Sequence, residues 1–371
     1  MNFKKLLALL MALVMMTAVF SACGDNSDDP DKDNDNQSDV SNTGNPADGE
    51  GLLYIDGEEI DTEDLVMFTV NGIDVPFDEY RYVYHFVDSY YFSGGSTAFW
   101  EANSDYFQML LDYTEQYLLS YYWGPIYAKE YGFDLTAEDL AAIEDEMDEN
   151  RSYFESEEEF EEALAASYFS VDLLKRFTEL EVMCDRAFEE LFNKEGAPYG
   201  ASDDEIRAEL DNDYRLVYHV LIANDHFDGV EGYEDYTEEE LKQAAYDYAC
   251  EIAERIRNGE DIYDLAQLDG DDPGMYDNTD GYFFTYGEMV ESFEDASFAL
   301  AVGEVSDPVE SDFGYHVIQR LDQSEYIQNN WDDVRELYLY SVVDTVVDEM
   351  LANAEIVYWD KYDQITYDSI R

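Results

Sequence analysis

Basic residues are scarce in this chain. Lys and Arg together number 19 against 90 Asp and Glu, for a formal net charge of −71. Binding to nucleic acid needs clustered Lys and Arg to displace the counterions of phosphate, so that function class is excluded. Electrostatic attachment to anionic lipid is excluded for the same reason. Cysteine is nearly absent as well, with three residues and no C-x-x-C pair. That argues against a disulfide framework and makes Cys184 and Cys250 small core residues, with a single bridge between them left open. No apolar run is long enough to span a bilayer: residues 6–19 fall short of the roughly 20 required. No D-x-D-x-D-G loop occurs after residue 50, so the acidity marks no dedicated calcium site. It reads first as solubility or adaptation to salt, and second as attraction for basic unfolded clients or calcium.

What is present begins with an address. Lys4 and Lys5 precede the apolar stretch LLALLMALVMMTAV (6–19), and Ser21 and Ala22 follow directly before Cys23. A basic start, a short apolar core and small residues before a cut mark a secretory signal peptide over 1–22. FSAC resembles the bacterial lipobox, whose cysteine receives diacylglycerol; Phe20 stands where that motif usually has Leu, Val or Ile. Lipidation at Cys23 is therefore expected, with a coincidental cysteine after an ordinary signal as the alternative. Residues 24–50 hold almost nothing that can be buried and are expected to form a disordered tether. The segment 23–64 as a whole reads as an acidic linker behind the lipidated cysteine.

The remainder is long enough for two domains with filled cores. Asn71-Gly72 between the apolar runs of LVMFTVNGIDV (65–75) predicts a hairpin. Helices are expected over 77–92, 97–128, 136–150, 157–167, 170–194 and 202–213, several with start signals such as Ser202 with Glu205. At 214 the pattern changes to a strand, YRLVYHVLIA. A helix over 237–259 opens on Thr237 and Glu240 and closes at Gly259. A short helix (261–268), a Gly/Asp loop, a strand (282–285), a helix (288–300) and strands over 305–310 and 314–321 follow. The chain then returns to a long helix over 326–353 and a polar, Tyr-rich tail.

VYHVLIA (217–223), GEDIYDLAQL (259–268) and GEMVESFEDASFALAVGEVSDPVESDFGYHVIQRL (287–321) come in an order that resembles the parvulin-type (PpiC, rotamase) peptidyl-prolyl isomerase domain. The lipobox, the TVNG hairpin with its following helices and the C-terminal helix are similar to the PrsA-type foldase lipoproteins of Gram-positive bacteria, a plan shared with SurA-type chaperones. The resemblance implies an α+β protein: a parvulin-like domain at 214–323, with a small antiparallel sheet and surrounding helices, inserted in an all-helical chaperone domain made of 65–213 and 324–371. It implies an extracytoplasmic isomerase and foldase, anchored by lipid and acting on unfolded secreted proteins that contain X-Pro bonds. It implies no metal and no cofactor, and leaves a homodimer open.

Carried over residue by residue, the family's two strand histidines fall on His219 and His316, and its central acid on Asp272. The apolar floor under the prolyl ring falls on Met289, Phe293 and Phe298, and a hydroxyl in the histidine network on Ser311. Where many members read GGDLGWF this chain reads TDGYFFT (279–285), which removes the usual Leu of the pocket rim. His85 and His226 match nothing in the family and read as surface or incidental. These residue types suit the chemistry. Rotation about a peptide bond meets a barrier of roughly 18–20 kcal/mol, and a catalyst need only bind the twisted amide better than either planar form. An apolar cup holds the ring away from water, an acid stands near the carbonyl that loses conjugation, and the histidines fix the shape. Two rivals remain: a non-catalytic holdase with a parvulin fold, and a solute-binding lipoprotein, which would need two similar α/β lobes.

Overall fold

The structure, a computed structural model, describes residues 52–92, 97–276 and 278–371. The expected signal peptide, Cys23 and the tether through residue 51 lie outside them. The described chain divides into two compact units. One runs to Phe192 and is completed by Asp344–Arg371; the other is Asn193–Val343. The α+β class expected from the sequence holds.

In the first unit, the hairpin β1 (Tyr54–Ile55) and β2 (Glu58–Glu59) stands where the sequence led us to expect linker. Leu53 and Ile55 are buried in the core, so the linker ends before them. Strands β3 (Val66–Val70) and β4 (Ile73–Pro76) form the expected hairpin, with Asn71 in the left-handed region at φ 48°. A third strand, β9 (Ile356–Tyr358), pairs antiparallel with the other side of β3. The C-terminal segment is therefore no loose tail: Ile365 and Ile370 are buried and Leu53 bridges to Ile370. Around this sheet pack α1 (Phe77–Phe92), α2 (Thr97–Ala102), α3 (Ser104–Tyr131), α4 (Ala137–Ser152), α5 (Glu157–Ala165) and α6 (Val171–Leu191). The expected single helix over 97–128 is broken at Asn103, whose φ −134° and ψ 50° are not helical. A buried carboxylate ties three of these helices together: Glu79 on α1 accepts from Tyr122 Oη on α3 at 2.6 Å and from Arg176 Nε on α6 at 3.0 Å. Cys184 and Cys250 are both free thiols.

The second unit opens with α7 (Asp203–Asp213), whose Ser202 and Glu205 form the expected capping box. Its sheet has the order β6 (Tyr282–Thr285), β5 (Tyr214–Ala223), β8 (Gly314–Arg320), β7 (Val309–Ser311), antiparallel throughout. Side chains alternate between faces along each strand. Tyr218, Val220, Ile222, Tyr315 and Val317 point to one face. There they bury against Ala245, Ala249 and Ile252 of α8 (Glu238–Arg257) and Leu265 of α9 (Ile262–Asp269). Val217 and Ile318 point to the other, against Phe293 of α10 (Glu291–Ala299). The long helix expected over 326–353 is two pieces, α11 (Ser324–Asn329) and α12 (Trp331–Ala352), because Asn330 leaves helical geometry. No helix among the described residues is long and apolar enough to cross a membrane.

Candidate active site

The register of the central strands assembles the site. His219 on β5 lies opposite Ile318 on β8, and Leu221 lies opposite His316, so the two histidines meet diagonally on one face. Their Nδ1 atoms are 3.2 Å apart. Both rings are buried, with the edge-to-face ring of Phe293 5.1 Å from His219 and 5.3 Å from His316. His219 Nε2 lies 2.7 Å from Asp272 Oδ2, and His316 Nε2 lies 2.7 Å from Ser311 Oγ. Ser311 comes from edge strand β7. Asp272 opens a short 3₁₀ turn, where its Oδ1 accepts from Gly274 N at 2.8 Å. Next to it, the Asp271 amide donates to Leu221 O and the Asp271 side chain accepts from Ala223 N, which fastens this loop to β5.

The charge on Asp272 fixes the direction of the network. Its carboxyl is held down to about 2, first by the His219 hydrogen bond and then by the amide of Gly274 and the hydroxyl of Tyr282, against the cost of burial. An ionised carboxylate only accepts, so His219 donates to it from Nε2. Across the Nδ1–Nδ1 contact one ring donates and the other accepts, and Ser311 Oγ, beside His316 Nε2, accepts from Phe313 N at 3.2 Å. His316 is itself held down to about 4, first by burial and then by His219. The His316 imidazole is thus neutral at pH 7, and buried among these fixed partners it is suited to holding shape.

Not every expected residue joins this group. Met289 belongs to the apolar cluster of Phe293, and its backbone amide is fixed by the buried Glu294 carboxylate at 2.8 Å. Phe298 shares that cluster but stands apart from the histidines: it stacks on Tyr286 at 3.8 Å and lies 6.1 Å from Phe284. Several residues escaped sequence reading. Tyr282 Oη donates to Asp272 Oδ2 at 2.9 Å, and burial followed by the Asp272 carboxylate pushes its phenol up. It sits in the TDGYFFT stretch, whose departure from the family was the available signal. Gly281, just before it, has φ 86°, and a Cβ there would come within 2.4 Å of Val217 O, so no rim side chain fits. His226 is not incidental: its Nδ1 lies 2.6 Å from Asp271 Oδ2 and its ring stacks on Tyr248. His85 is likewise no surface residue. It stacks at 3.8 Å on Tyr168, and burial lowers it to about 4.

Residues 219–322 match the family model described as PPIC-type PPIase domain (Rotamase). These residues thus form a domain of the PPIC, or parvulin, type. The Foldase protein PrsA of Geobacillus sp. (strain WCH70) is 35% identical over 123 residues, covering 30% of this chain and 44% of that one. The Foldase protein PrsA of Oceanobacillus iheyensis is 28% identical over 230 residues, covering 60% of this chain and 67% of that one. The solved parvulin of Nitrosopumilus maritimus is 32% identical, with 30% of this chain and 97% of that one covered and a TM-score of 0.22. The chain thus spans less than half the length of the Geobacillus relative. Among the described residues no group of three or more His, Cys, Asp or Glu is placed to hold a metal ion.

Proposed function

We propose that the chain is a peptidyl-prolyl cis–trans isomerase and foldase that assists secreted proteins outside the cytoplasmic membrane. The observation that carries this reading is the unbroken network Ser311–His316–His219–Asp272–Tyr282 standing against the ring of Phe293. Phe293 and Met289 form the wall for the prolyl ring, with Phe298 extending the apolar surface behind them. Asp272, side chain one-fifth exposed, is held ionised, and its charge acts on the imide as conjugation is lost. His219, His316 and Ser311 are positioning residues that hold Asp272 and the wall in register.

The parvulin-type unit, taken as 214–323, is the isomerase insert, and 65–213 with 324–371 is the body that holds unfolded clients. The discontinuous first unit, interrupted by a compact second one, supports that division. Cys23 carries the lipid anchor, supported by FSAC after a short apolar core. Clients are unfolded or partly folded secreted chains with X-Pro bonds. The proposal is tested by refolding a secreted protein whose slow phase is limited by proline isomerisation, which takes tens to hundreds of seconds uncatalysed. Catalytic amounts should accelerate that phase. An unchanged rate at stoichiometric amounts would contradict the reading.

A further inference from the structure

Helix α3 presents two faces. Leu110, Thr114 and Leu118 are fully buried and form its core side. Beside them run Tyr106, Met109, Tyr113 and Tyr117, at spacings of three and four residues that set them in one row along the helix. Tyr106 is 47% exposed and Met109 39%, so this end of the row lies outside the core. The end of α1 widens the surface: Tyr90 and Tyr91 are 52% and 48% exposed, and the Tyr91 ring lies 4.8 Å from Tyr90 and 5.3 Å from Tyr113. The Tyr91 and Tyr117 hydroxyls are 2.9 Å apart. One donates to the other, and the accepting hydroxyl keeps its own proton for a further acceptor. Charge along this stretch has one sign. No Lys or Arg occurs between Arg81 and Lys129, against five acids. Two of these, Asp105 and Asp112, are exposed and each directly precedes a tyrosine of the row. They border it two helical turns apart, about 10 Å. Asp112 accepts from Gln108 Nε2 at 2.7 Å, and among the described residues neither acid has an ion pair.

We propose that this row docks a polyproline-II segment of a client that carries Lys or Arg at every third position. The proposal rests on the reading of 65–213 as the client-holding body and gives that body a ligand class. Polyproline II repeats every three residues, about 9 Å, so side chains three apart share one side and match the spacing of Asp105 and Asp112. Its carbonyls make no internal hydrogen bonds and are free to accept from tyrosine hydroxyls. Aromatic surfaces hold such segments because the segment is already extended and loses little freedom on docking. Lys and Arg cations also sit favourably over tyrosine faces. An acidic segment meets the same rings against the repulsion of both aspartates.

The test uses the full chain and three peptides of equal length: a repeat of Arg-Pro-Pro, the same repeat with Glu for Arg, and the same repeat with Gly for Pro. The methyl resonances of Met109 and Met289, assigned through Met109→Leu and Met289→Leu, report the row and the prolyl pocket separately. The Arg-Pro-Pro peptide should shift Met109 saturably, the Glu peptide should leave it still, and the Gly peptide should bind about tenfold more weakly. Asp105→Asn combined with Asp112→Asn should weaken the Arg-Pro-Pro response by about tenfold at low salt and flatten its salt dependence. The amide spectrum and prolyl exchange should stay as in the native chain. A Met109 resonance that ignores Arg-Pro-Pro, that responds equally to all three peptides, or that responds equally in the double variant would overturn the proposal. Failure of the isomerase reading looks different: Met289 and prolyl exchange stay silent while Met109 still responds, and that result upholds the docking row.

Discussion

At the scale of single residues, Asp272 and Phe293 do different things, and substitution separates them. Asp272→Ala should lower isomerase turnover by about tenfold or more with peptide affinity within about twofold, because its charge acts on the twisted imide. Phe293→Ala removes the wall, so affinity and turnover should fall together and stability by about 3–5 kcal/mol. Peptide titration and exchange rates on the same samples check both. Tyr282→Phe leaves the carboxylate with one donor fewer and should raise the Asp272 pKa, read from its carboxyl carbon shift. Protonation offers a further check. His316 titrates near 4 when folded and near 6.5 when free, so between those values the unfolded chain binds more protons. Stability should therefore climb as pH rises from about 4 to about 6.5 and then level, and part of the slope should vanish in His316→Gln. His85 contributes the same sign over the same window from the other unit, which makes the partial loss the diagnostic. Below that range the Asp272 contribution, full above 3.8, is lost as pH falls through about 2. The histidines, Asp272 and Ser311 were legible because their spacing follows a family pattern. Tyr282 and the Asp271–His226 pair were not, since they arise from how one loop lies on β5.

At the scale of elements, close approach and breaks govern what the sequence disclosed. Helix starts were readable where a side chain caps them, as at Ser202 and Thr237, both of which form capping boxes. The breaks at Asn103 and Asn330 were not, because neither carries Gly or Pro, and apolar periodicity runs on through both. Strand β9 was missed because its three residues are recruited by the edge of β3, a contact across nearly the whole chain. The crossing of α3 and α6 depends on one position. A Cβ on Gly124 would come within 2.6 Å of Cys184 N, so Gly124→Ala should cost about 1–3 kcal/mol by chemical denaturation. An unchanged midpoint would mean that the two helices separate freely.

At the scale of the molecule, charge and division of labour dominate. A net charge of −71 repels itself, so the melting temperature should rise between low salt and about 0.15 M, where screening acts over about 8 Å. A flat response would show that the acids are compensated locally. Replacing 214–323 by a short linker should leave a folded helical body that still suppresses aggregation of a denatured client, checked by circular dichroism and light scattering. Loss of suppression in a folded product would place client binding in the parvulin-type unit instead. The central claim is that the buried histidine pair, the ionised Asp272 and the Phe293 wall twist an X-Pro bond. NMR exchange spectroscopy on an X-Pro peptide reads that event with no coupled protease. The account predicts cis–trans exchange that grows in proportion to the protein present and is nearly abolished in Asp272→Ala. Peptide that binds while its exchange rate stays at the uncatalysed value would contradict it and make the parvulin-type unit a holdase.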